Sequence, residues 1–312
     1  MSTSLLVKLL LAALFVTSAA YVHLRGRVRF RFTRQLFNHS TLLAPYNALM
    51  YLFSAVPARP VLDPADYPEL APLAQNWTTI RDEARRLADA GRIGVALANN
   101  DVGFNSFFKR GWKRFYLKWY GDPLPSAAAL CPRTVELLQA IPGVKAAMFA
   151  QLGPGAQLNA HRDPFGGSLR YHLGLITPNS PDCFIDIDGE RHSWRDGEVL
   201  MFDETFIHWA RNDTGVARII LFCDVERPLR TRFMRWLNRA VSGSIVKASA
   251  TQNVPTEPVG ALNRVYGRVV HPVLTRVGGL FRALKQKNRP LANALKYAAI
   301  AALVYLIFLR DL

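Results

Sequence analysis

The stretch from Val144 to Val225 consists of short apolar runs with period-two alternation, separated by turns rich in Gly, Pro, Asn and Asp. Successive side chains of a strand point to opposite faces, so this texture is typical of half-buried strands. Several short strands at intervals of about 8 to 12 residues favour a β-sandwich or barrel over a parallel α/β sheet. The sequence therefore predicts a mainly β core with flanking helices, and we interpret the core as a jelly roll.

Both ends of the chain are apolar. Leu5 to about Val22 is interrupted only by Lys8, and at about 1.5 Å per helical residue it is just long enough to cross a hydrocarbon core. Residues 291–309 read LANALKYAAIAALVYLIFL and carry one lysine near their start. We expect a transmembrane helix at each end. A cleavable signal peptide is the alternative for the first segment, because Ser18-Ala19-Ala20 resembles a processing site.

The formal net charge of +16 favours a polyanionic partner, either nucleic acid or an anionic membrane. The basic clusters adjoin the apolar ends, which favours an anionic membrane surface and no nucleic acid. They comprise Arg25, Arg27, Arg29, Arg31 and Arg34, and the stretch from Arg227 to Arg289. Because basic residues beside a span favour the cytoplasmic side, we expect the body of the protein to face the cytoplasm.

Composition divides the chain into five predicted segments. Five prolines between Pro57 and Pro72 rule out a regular helix there and place a domain boundary near residue 72. The segments are an N-terminal transmembrane anchor (1–24), a basic and Pro-rich connector (25–72), a central domain (73–228), basic amphipathic helices (229–290) and a C-terminal transmembrane helix (291–312).

Individual elements are also predicted. Trp77 to Ala90 has the spacing of an amphipathic helix, and Trp112 to Tyr120 alternates as a strand does. Thr231 to Val246 and Leu262 to Lys287 mix apolar and basic side chains at helical spacing, so they either lie on anionic lipid or pack on the body. The chain's three cysteines are widely spaced and agree with a reducing compartment, where we expect them to be small buried hydrophobes.

One histidine–carboxylate pair has the spacing of metal ligands. His161 and Asp163 lie two positions apart, so in extended chain they share one face. His208 follows 47 residues after His161. Over that separation, the strands of a jelly roll can bring a third ligand to the same end of the barrel. Two histidines and one carboxylate leave adjacent positions open on a metal ion, as non-haem Fe(II) oxygenases require. We predict a metal site at these three residues.

Two arginines in predicted strands need anionic partners. Arg170 and His172 share one face of the strand 168–175, and Arg218 lies within the apolar run 216–223. A buried guanidinium keeps its proton and must be paired with a carboxylate. A dicarboxylate cosubstrate would supply one. The alternative is pairing within the protein, with Asp186, Asp203, Glu204 or Asp224.

The stretch from about Phe149 to Val225 resembles the aspartyl/asparaginyl β-hydroxylase family. The motifs that carry the resemblance are HRDPFGGSLRYHLGL, WRDGEVLMFDETFIHWARND and ARIILFCDV. Within that family the chain is most similar to the bacterial inner-membrane branch that hydroxylates lipid A acyl chains at C2. The resemblance implies a double-stranded β-helix dioxygenase, over the predicted segment 73–228, that uses Fe(II), 2-oxoglutarate and O₂ at the cytoplasmic face of the inner membrane.

By the same resemblance, His161 and His208 would ligate iron, and Arg218 would anchor the distal carboxylate of 2-oxoglutarate. Arg170 and His172 would line the cosubstrate and substrate pocket, and Trp112 would close one side. Two positions depart from the family. Its animal peptide hydroxylases have glycine where Asp163 stands, and their cosubstrate-binding serine falls here on Ala150.

The substrate implied is lipid A or a related membrane lipid, such as an aminolipid. A peptidyl aspartyl/asparaginyl hydroxylase is the first alternative function. A non-catalytic membrane scaffold is the second. The distal nitrogens of the two histidine ligands should have hydrogen-bond acceptors, for which Asp203 and Glu204 are candidates.

Overall fold

The computed structural model describes residues 3–96 and 101–305, and its core consists of two antiparallel sheets. The larger sheet has the strand order β1-β8-β5-β10-β3-β2 and the smaller has the order β4-β9-β6-β7. The strands are β1 Val61–Leu62, β2 Trp112–Trp119, β3 Val144–Leu152, β4 Gln157–His161, β5 Ser168–Ile176, β6 Cys183–Ile187, β7 Glu190–Ser193, β8 Val199–Phe202, β9 His208–Asn212 and β10 Arg218–Glu226. This arrangement is jelly-roll-like, and the predicted mainly β core is confirmed.

The larger sheet has an apolar face and a face that carries polar groups. On β5, Leu169, Tyr171 and Leu173 belong to the main hydrophobic core, on the side where helices cover the sheet. Arg170 and His172 point the opposite way, into a cavity that also has residues of the smaller sheet in its wall. The predicted two faces of this strand are therefore confirmed, and the strand's polar side chains lie between the sheets.

Thirteen α-helices flank the sheets within the described residues. They are α1 Thr3–Leu24, α2 Phe32–Leu36, α3 His39–Leu42, α4 Ala44–Leu52, α5 Ala71–Gln75, α6 Trp77–Asp89, α7 Asn105–Phe108, α8 Pro125–Leu130, α9 Pro132–Gln139, α10 Arg232–Val241, α11 Ala261–Val265, α12 His271–Lys287 and α13 Arg289–Val304. Helix α6 and strand β2 agree with the predicted helix and strand to within one residue. Helix α6 packs on β5 through Ile80, Ala84 and Leu87, which are buried.

One helix of the described part of the chain is long and apolar enough to cross a membrane, at Leu5–Leu24. Most of its apolar side chains are exposed, which suits a lipid environment better than a core position. The second predicted span is a helix over Arg289–Val304, but residues 306–312 lie outside the described part of the chain. That span stays a prediction.

The basic amphipathic segments differ in how they pack. Helix α10 buries Met234 and Asn238 while Phe233 and Trp236 on the same helix are exposed. Helix α12 has no buried residue, and the choice between lipid contact and packing on the body stays open for it. The three cysteines are buried and unpaired, as predicted for small hydrophobes.

Candidate metal centre

The pairing of two short strands brings the predicted histidine ligands together. Strands β4 and β9 are antiparallel neighbours in the smaller sheet, and His161 lies directly opposite His208 in their register. Asp163 lies two residues beyond the end of β4, where its backbone N–H donates to the carbonyl oxygen of Glu204 at 3.0 Å. The side chains of His161 and Asp163 converge as the spacing predicted, although Asp163 lies outside the paired strand.

The distances within this group fit a single metal ion. The Oδ1 atom of Asp163 lies 3.5 Å from Nε2 of His161 and 4.0 Å from Nε2 of His208. All three candidate ligand atoms lie within 4.8 Å of one another. Two donors that each lie about 2.1 Å from an ion can be at most about 4.2 Å apart. The site needs only a small adjustment to hold an ion, and it offers the two imidazoles and one carboxylate that suit non-haem iron.

Main-chain carbonyls fix the orientation of both imidazoles. Nδ1 of His161 lies 2.8 Å from the carbonyl oxygen of Asn159, and Nδ1 of His208 lies 3.0 Å from that of Phe206. A carbonyl oxygen only accepts, so in each neutral ring the proton is on Nδ1 and the lone pair is on Nε2, which faces the site. The predicted acceptors Asp203 and Glu204 do not fill this role, because their carboxylates bind arginines.

The site holds its candidate ligands in the protonation states that a metal needs. Burial and the neighbouring His161 lower the pKa of His208 to about 3, and burial also lowers the pKa of His161. Burial alone would raise the pKa of Asp163, but the Arg170 guanidinium and the two imidazoles lower it on balance. At neutral pH the group therefore consists of two neutral imidazoles and one carboxylate.

The charge of Arg170 is paired with protein carboxylates. One of its terminal nitrogens lies 2.6 Å from Asp163 and 3.3 Å from Asp224, and it also contacts Glu204. Its guanidinium stacks 3.6 Å from the ring centroid of Phe222. The alternative of pairing within the protein therefore holds for Arg170, which needs no cosubstrate to satisfy its charge. Its contact with Asp163 holds that carboxylate toward the two histidines.

Arg218 lacks such a partner. Its side chain is 2% exposed, and no carboxylate of the described residues lies within 4.0 Å of its guanidinium. The guanidinium lies 4.1 Å from the ring centroid of Trp194, and its Nε has no hydrogen-bond partner. Burial lowers the pKa of Arg218 to about 10, so the group is still charged at neutral pH. A buried, charged and unpaired guanidinium beside the three candidate ligands is a site for an anion.

His172 adds a second donor to the same cavity. The indole N–H of Trp194 donates to Nδ1 of His172 at 3.3 Å. Burial and the charge of Arg170 hold the pKa of His172 well below its usual value, so the ring is neutral and its proton is on Nε2. That Nε2 is buried and has no partner within the protein. It is therefore free to donate to a ligand that Arg218 also holds.

Apolar and aromatic side chains make up the rest of the cavity wall. Trp112 and Ala150 line it, at the positions that the sequence singled out. Phe107 lies 4.8 Å from His161, measured between ring centroids, and Phe104 stacks on Trp112 at 4.8 Å. Sequence reasoning missed Phe104, Phe107 and Trp194. Trp194 lies in one of the motifs that carry the family resemblance, but no role was assigned to it. Phe104 and Phe107 lie outside those motifs, and no helical or strand periodicity identifies them as site residues.

The central part of the chain is similar in sequence to known proteins. The sequence model of the aspartyl/asparaginyl beta-hydroxylase family matches residues 74–228. An ornithine lipid ester-linked acyl 2-hydroxylase from Rhizobium tropici is 35% identical over 195 residues, which cover 60% of this chain and 69% of that protein.

Two further similarities are weaker. The human aspartyl/asparaginyl beta-hydroxylase is 31% identical over 187 residues, which cover 57% of this chain and only 24% of that protein. A prolyl-4-hydroxylase from Pseudomonas putida is similar in structure with a TM-score of 0.35 at 20% identity, covering 49% of this chain and 87% of that one.

Proposed function

The chain belongs to the aspartyl/asparaginyl β-hydroxylase family, and from this premise we propose that it is an Fe(II)- and 2-oxoglutarate-dependent hydroxylase of membrane lipid acyl chains. One observation carries the proposal. Two neutral imidazoles and a carboxylate converge within 4.8 Å, in the same cavity as a buried arginine that has no carboxylate partner among the described residues. A metal ion and a dicarboxylate would satisfy both groups.

In this proposal Nε2 of His161, Nε2 of His208 and a carboxylate oxygen of Asp163 hold the iron. Fe(II) with 2-oxoglutarate and O₂ supplies the oxidative chemistry that converts an unactivated C–H bond to C–OH, with succinate and CO₂ as the other products. The protein contributes ligation, orientation and a dry pocket. Arg170 keeps Asp163 ionised and aimed at the site, which makes Arg170 a positioning residue.

Arg218 and His172 are proposed to hold the far carboxylate of 2-oxoglutarate. The guanidinium supplies the charge, and Nε2–H of His172 supplies a further hydrogen bond. Ala150 has no hydroxyl, so these two groups and the Trp194 ring make up the carboxylate site without the serine that the family's animal members use. Trp112 closes one side of the cavity.

The apolar wall supports an acyl chain as the group that reacts. Phe104, Phe107 and Leu158 line the cavity near the candidate ligands, and an alkyl chain gains free energy in contact with such side chains. The similarity to a lipid acyl 2-hydroxylase and the apolar helix α1 point the same way. Hydroxylation at C2 of an acyl chain on lipid A, or on an ornithine lipid as for the Rhizobium relative, is the proposed reaction.

The predicted location follows from the same features. Five arginines between Arg25 and Arg34 directly follow helix α1, and basic residues in that position favour the cytoplasmic side. The catalytic domain is proposed to face the cytoplasm at the bacterial inner membrane, with the anchor retained in the mature protein.

Mass spectrometry of total membrane lipids, from cells with and without the gene, tests the proposed reaction. We expect one added oxygen at C2 of an acyl chain, on lipid A or on an ornithine lipid, that His208→Ala abolishes and His271→Ala preserves. His271 lies on α12, outside the cavity, and is the matched control. Unchanged lipids together with a hydroxylated peptide would indicate the peptidyl hydroxylase. Unchanged lipids without any turnover of 2-oxoglutarate would indicate the scaffold.

A further inference from the structure

The residues that directly follow helix α1 have an exposed apolar surface. We name residues 21–42 the membrane arm; they comprise the last turn of α1, the basic stretch, α2 and α3. Five of its large apolar side chains are more than half exposed: Leu24 at 55%, Phe32 at 67%, Leu36 at 51%, Phe37 at 68% and Leu42 at 74%. Exposed apolar residues in a row along one segment mark an interaction surface, because water disfavours them.

This surface continues the apolar surface of helix α1. The ring of Phe32 lies 6.3 Å from that of His23, in the last turn of α1, and α1 packs on α3 and α4. Exposed arginines at positions 27, 29 and 31 lie between the two apolar surfaces along the chain. Apolar side chains flanked by cations, next to a helix that can span a bilayer, match the boundary between headgroups and acyl chains of an anionic membrane.

The membrane arm also contacts the segment that carries His161. Arg34 donates to the carbonyl oxygen of Ala160 at 2.6 Å, and Nε2 of His39 lies 2.6 Å from the carbonyl oxygen of Arg162. These two carbonyls are on either side of His161 in the chain. Helices α2 and α3 therefore hold the backbone on both sides of one candidate metal ligand.

The arm also contacts the segment that leads to His208. Arg25 forms an ion pair with Asp203 at 2.6 Å and donates to the hydroxyl of Thr205. In the reverse direction, the buried guanidinium of Arg162 donates to the carbonyl oxygens of Val22 and Arg25. The membrane arm thus combines exposed apolar side chains with contacts to both segments that carry the candidate histidine ligands.

We propose that the membrane arm lies in the surface of an anionic bilayer and fixes the metal centre against it, so that the lipid's acyl chain reaches the site from the membrane. Phe32, Leu36, Phe37 and Leu42 enter the acyl region, and the arginines contact lipid phosphates. The contacts of Arg34 and His39 with the His161 segment make the arm a positioning device. This inference deepens the proposed function and rests on it for the identity of the substrate.

Nitroxide labels on single introduced cysteines test the depth of the arm. The native cysteines Cys131, Cys183 and Cys223 are buried, so labelling of the folded full chain is directed to Phe32→Cys, Phe37→Cys or Leu42→Cys. Val216→Cys is the matched control, since Val216 is a large apolar residue, 53% exposed, in the turn between β9 and β10. The protein is placed in nanodiscs that contain phosphatidylglycerol, and relaxation by oxygen and by a water-soluble nickel complex is measured.

We expect the three arm labels to lie about 5–10 Å below the phosphates, open to oxygen and shielded from nickel. The Val216→Cys label should respond mainly to nickel. Arm labels that respond to nickel as the control label does would overturn the proposal. So would strong dipolar coupling between arm labels of two chains, because it would show that a second copy covers the surface.

A kinetic measurement separates this inference from the proposed function. The double variant Phe37→Ser, Leu42→Ser should lower kcat/KM for the lipid in nanodiscs about tenfold, because two apolar groups no longer seat the arm. The affinities of the double variant for metal and for 2-oxoglutarate should match those of the wild type. In the control Val216→Ser, kcat/KM and both affinities should match those of the wild type. If the wild type hydroxylates no lipid, the proposed function fails while the depth measurement still decides the position of the arm. Unchanged kcat/KM in the double variant would contradict the positioning role.

Discussion

At the scale of single residues, the main chain decides which atoms the candidate ligands present. The carbonyl oxygens of Asn159 and Phe206 fix the tautomers of His161 and His208, two residues before each histidine. The sequence was sufficient to predict the two histidines and Asp163 as one group. It could not predict the acceptors, because the backbone of every residue has a carbonyl and only the folded turn shows which one a ring meets.

The lowered pKa values of the imidazoles predict how metal affinity depends on pH. Two ordinary histidines with a pKa of 6.5 would lose about 30-fold in affinity between pH 6.5 and pH 5.5, because protons compete for Nε2. The pKa of His208 is about 3, so its ring stays neutral as the pH falls through this window, and burial also lowers the pKa of His161. Titration with Co(II) at both pH values should therefore show a loss below about fivefold, which is less than one ordinary histidine alone would cause. A loss near 30-fold would mean that the rings titrate as free histidines.

Replacement of Arg218 should weaken the binding of 2-oxoglutarate without weakening the binding of metal. Replacement by methionine keeps much of the apolar contact with Trp194 and removes the charge, so affinity for 2-oxoglutarate should fall at least about 100-fold. Calorimetric titration of the Co(II)-loaded protein measures this affinity, and Co(II) affinity itself should stay unchanged. Arg211→Met is the control, since Arg211 is an exposed arginine on β9 whose ion pair is at the surface. Equal 2-oxoglutarate affinity in Arg218→Met and the wild type would exclude the assigned role.

The sequence could not separate the two arginines. Both stood in apolar strands with the same need for an anion, and both could pair within the protein. The difference arises because Asp163, Glu204 and Asp224 converge on Arg170 from three separate segments. Asp224 lies opposite Arg170 in the strand register, and the other two depend on turns outside the sheet.

At the scale of elements, strand register places the site and buried ion pairs hold its surroundings. Period-two alternation was sufficient to predict β5 and its two faces, because successive side chains of a strand point to opposite faces of the sheet. The position of the stretch between α1 and α4 could not be predicted in this way. Its contacts, such as Arg25 with Asp203, join residues 178 positions apart and follow no local period.

The ion-pair cluster of Asp203 predicts a pH-dependent contribution to stability. Burial alone would raise the pKa of Asp203, but Arg227 at 2.9 Å and Arg25 at 2.6 Å lower it below its ordinary value. A carboxyl with a depressed pKa stabilises the fold above its unfolded pKa, near about 3.9, and loses that contribution as the pH falls. Asp203→Asn should therefore lower the free energy of unfolding by about 3–5 kcal/mol at pH 7, because it leaves two buried guanidiniums without their anion.

The difference between Asp203→Asn and the wild type should shrink as the pH is lowered from 5 toward 3. Urea unfolding of the full chain in detergent micelles measures it at each pH. Glu136→Gln is the control, since its ion pair with Arg133 on α9 is exposed and should change stability by at most about 1 kcal/mol at any of these pH values. A difference for Asp203→Asn that stays constant from pH 7 to pH 3 would show that the ion pairs do not determine its stability.

At the scale of the whole molecule, the part that matches the family model and the proposed membrane arm meet at the candidate metal centre. The family match begins at residue 74, yet Arg25, Arg34 and His39 contact the segments that carry the candidate ligands. The predicted boundary near residue 72 was based on the local density of prolines, which excludes a regular helix there. Composition does not show that the segment before it packs on the catalytic domain.

The metal content of the purified chain tests the central claim most directly. After anaerobic reconstitution with Fe(II) and removal of free metal, we predict one ferrous ion per wild-type chain and per His271→Ala chain. The triple variant His161→Ala, Asp163→Ala, His208→Ala should hold none while keeping the wild-type circular dichroism spectrum. A triple variant that binds as much iron as the wild type would contradict the claim that these three side chains share one ion.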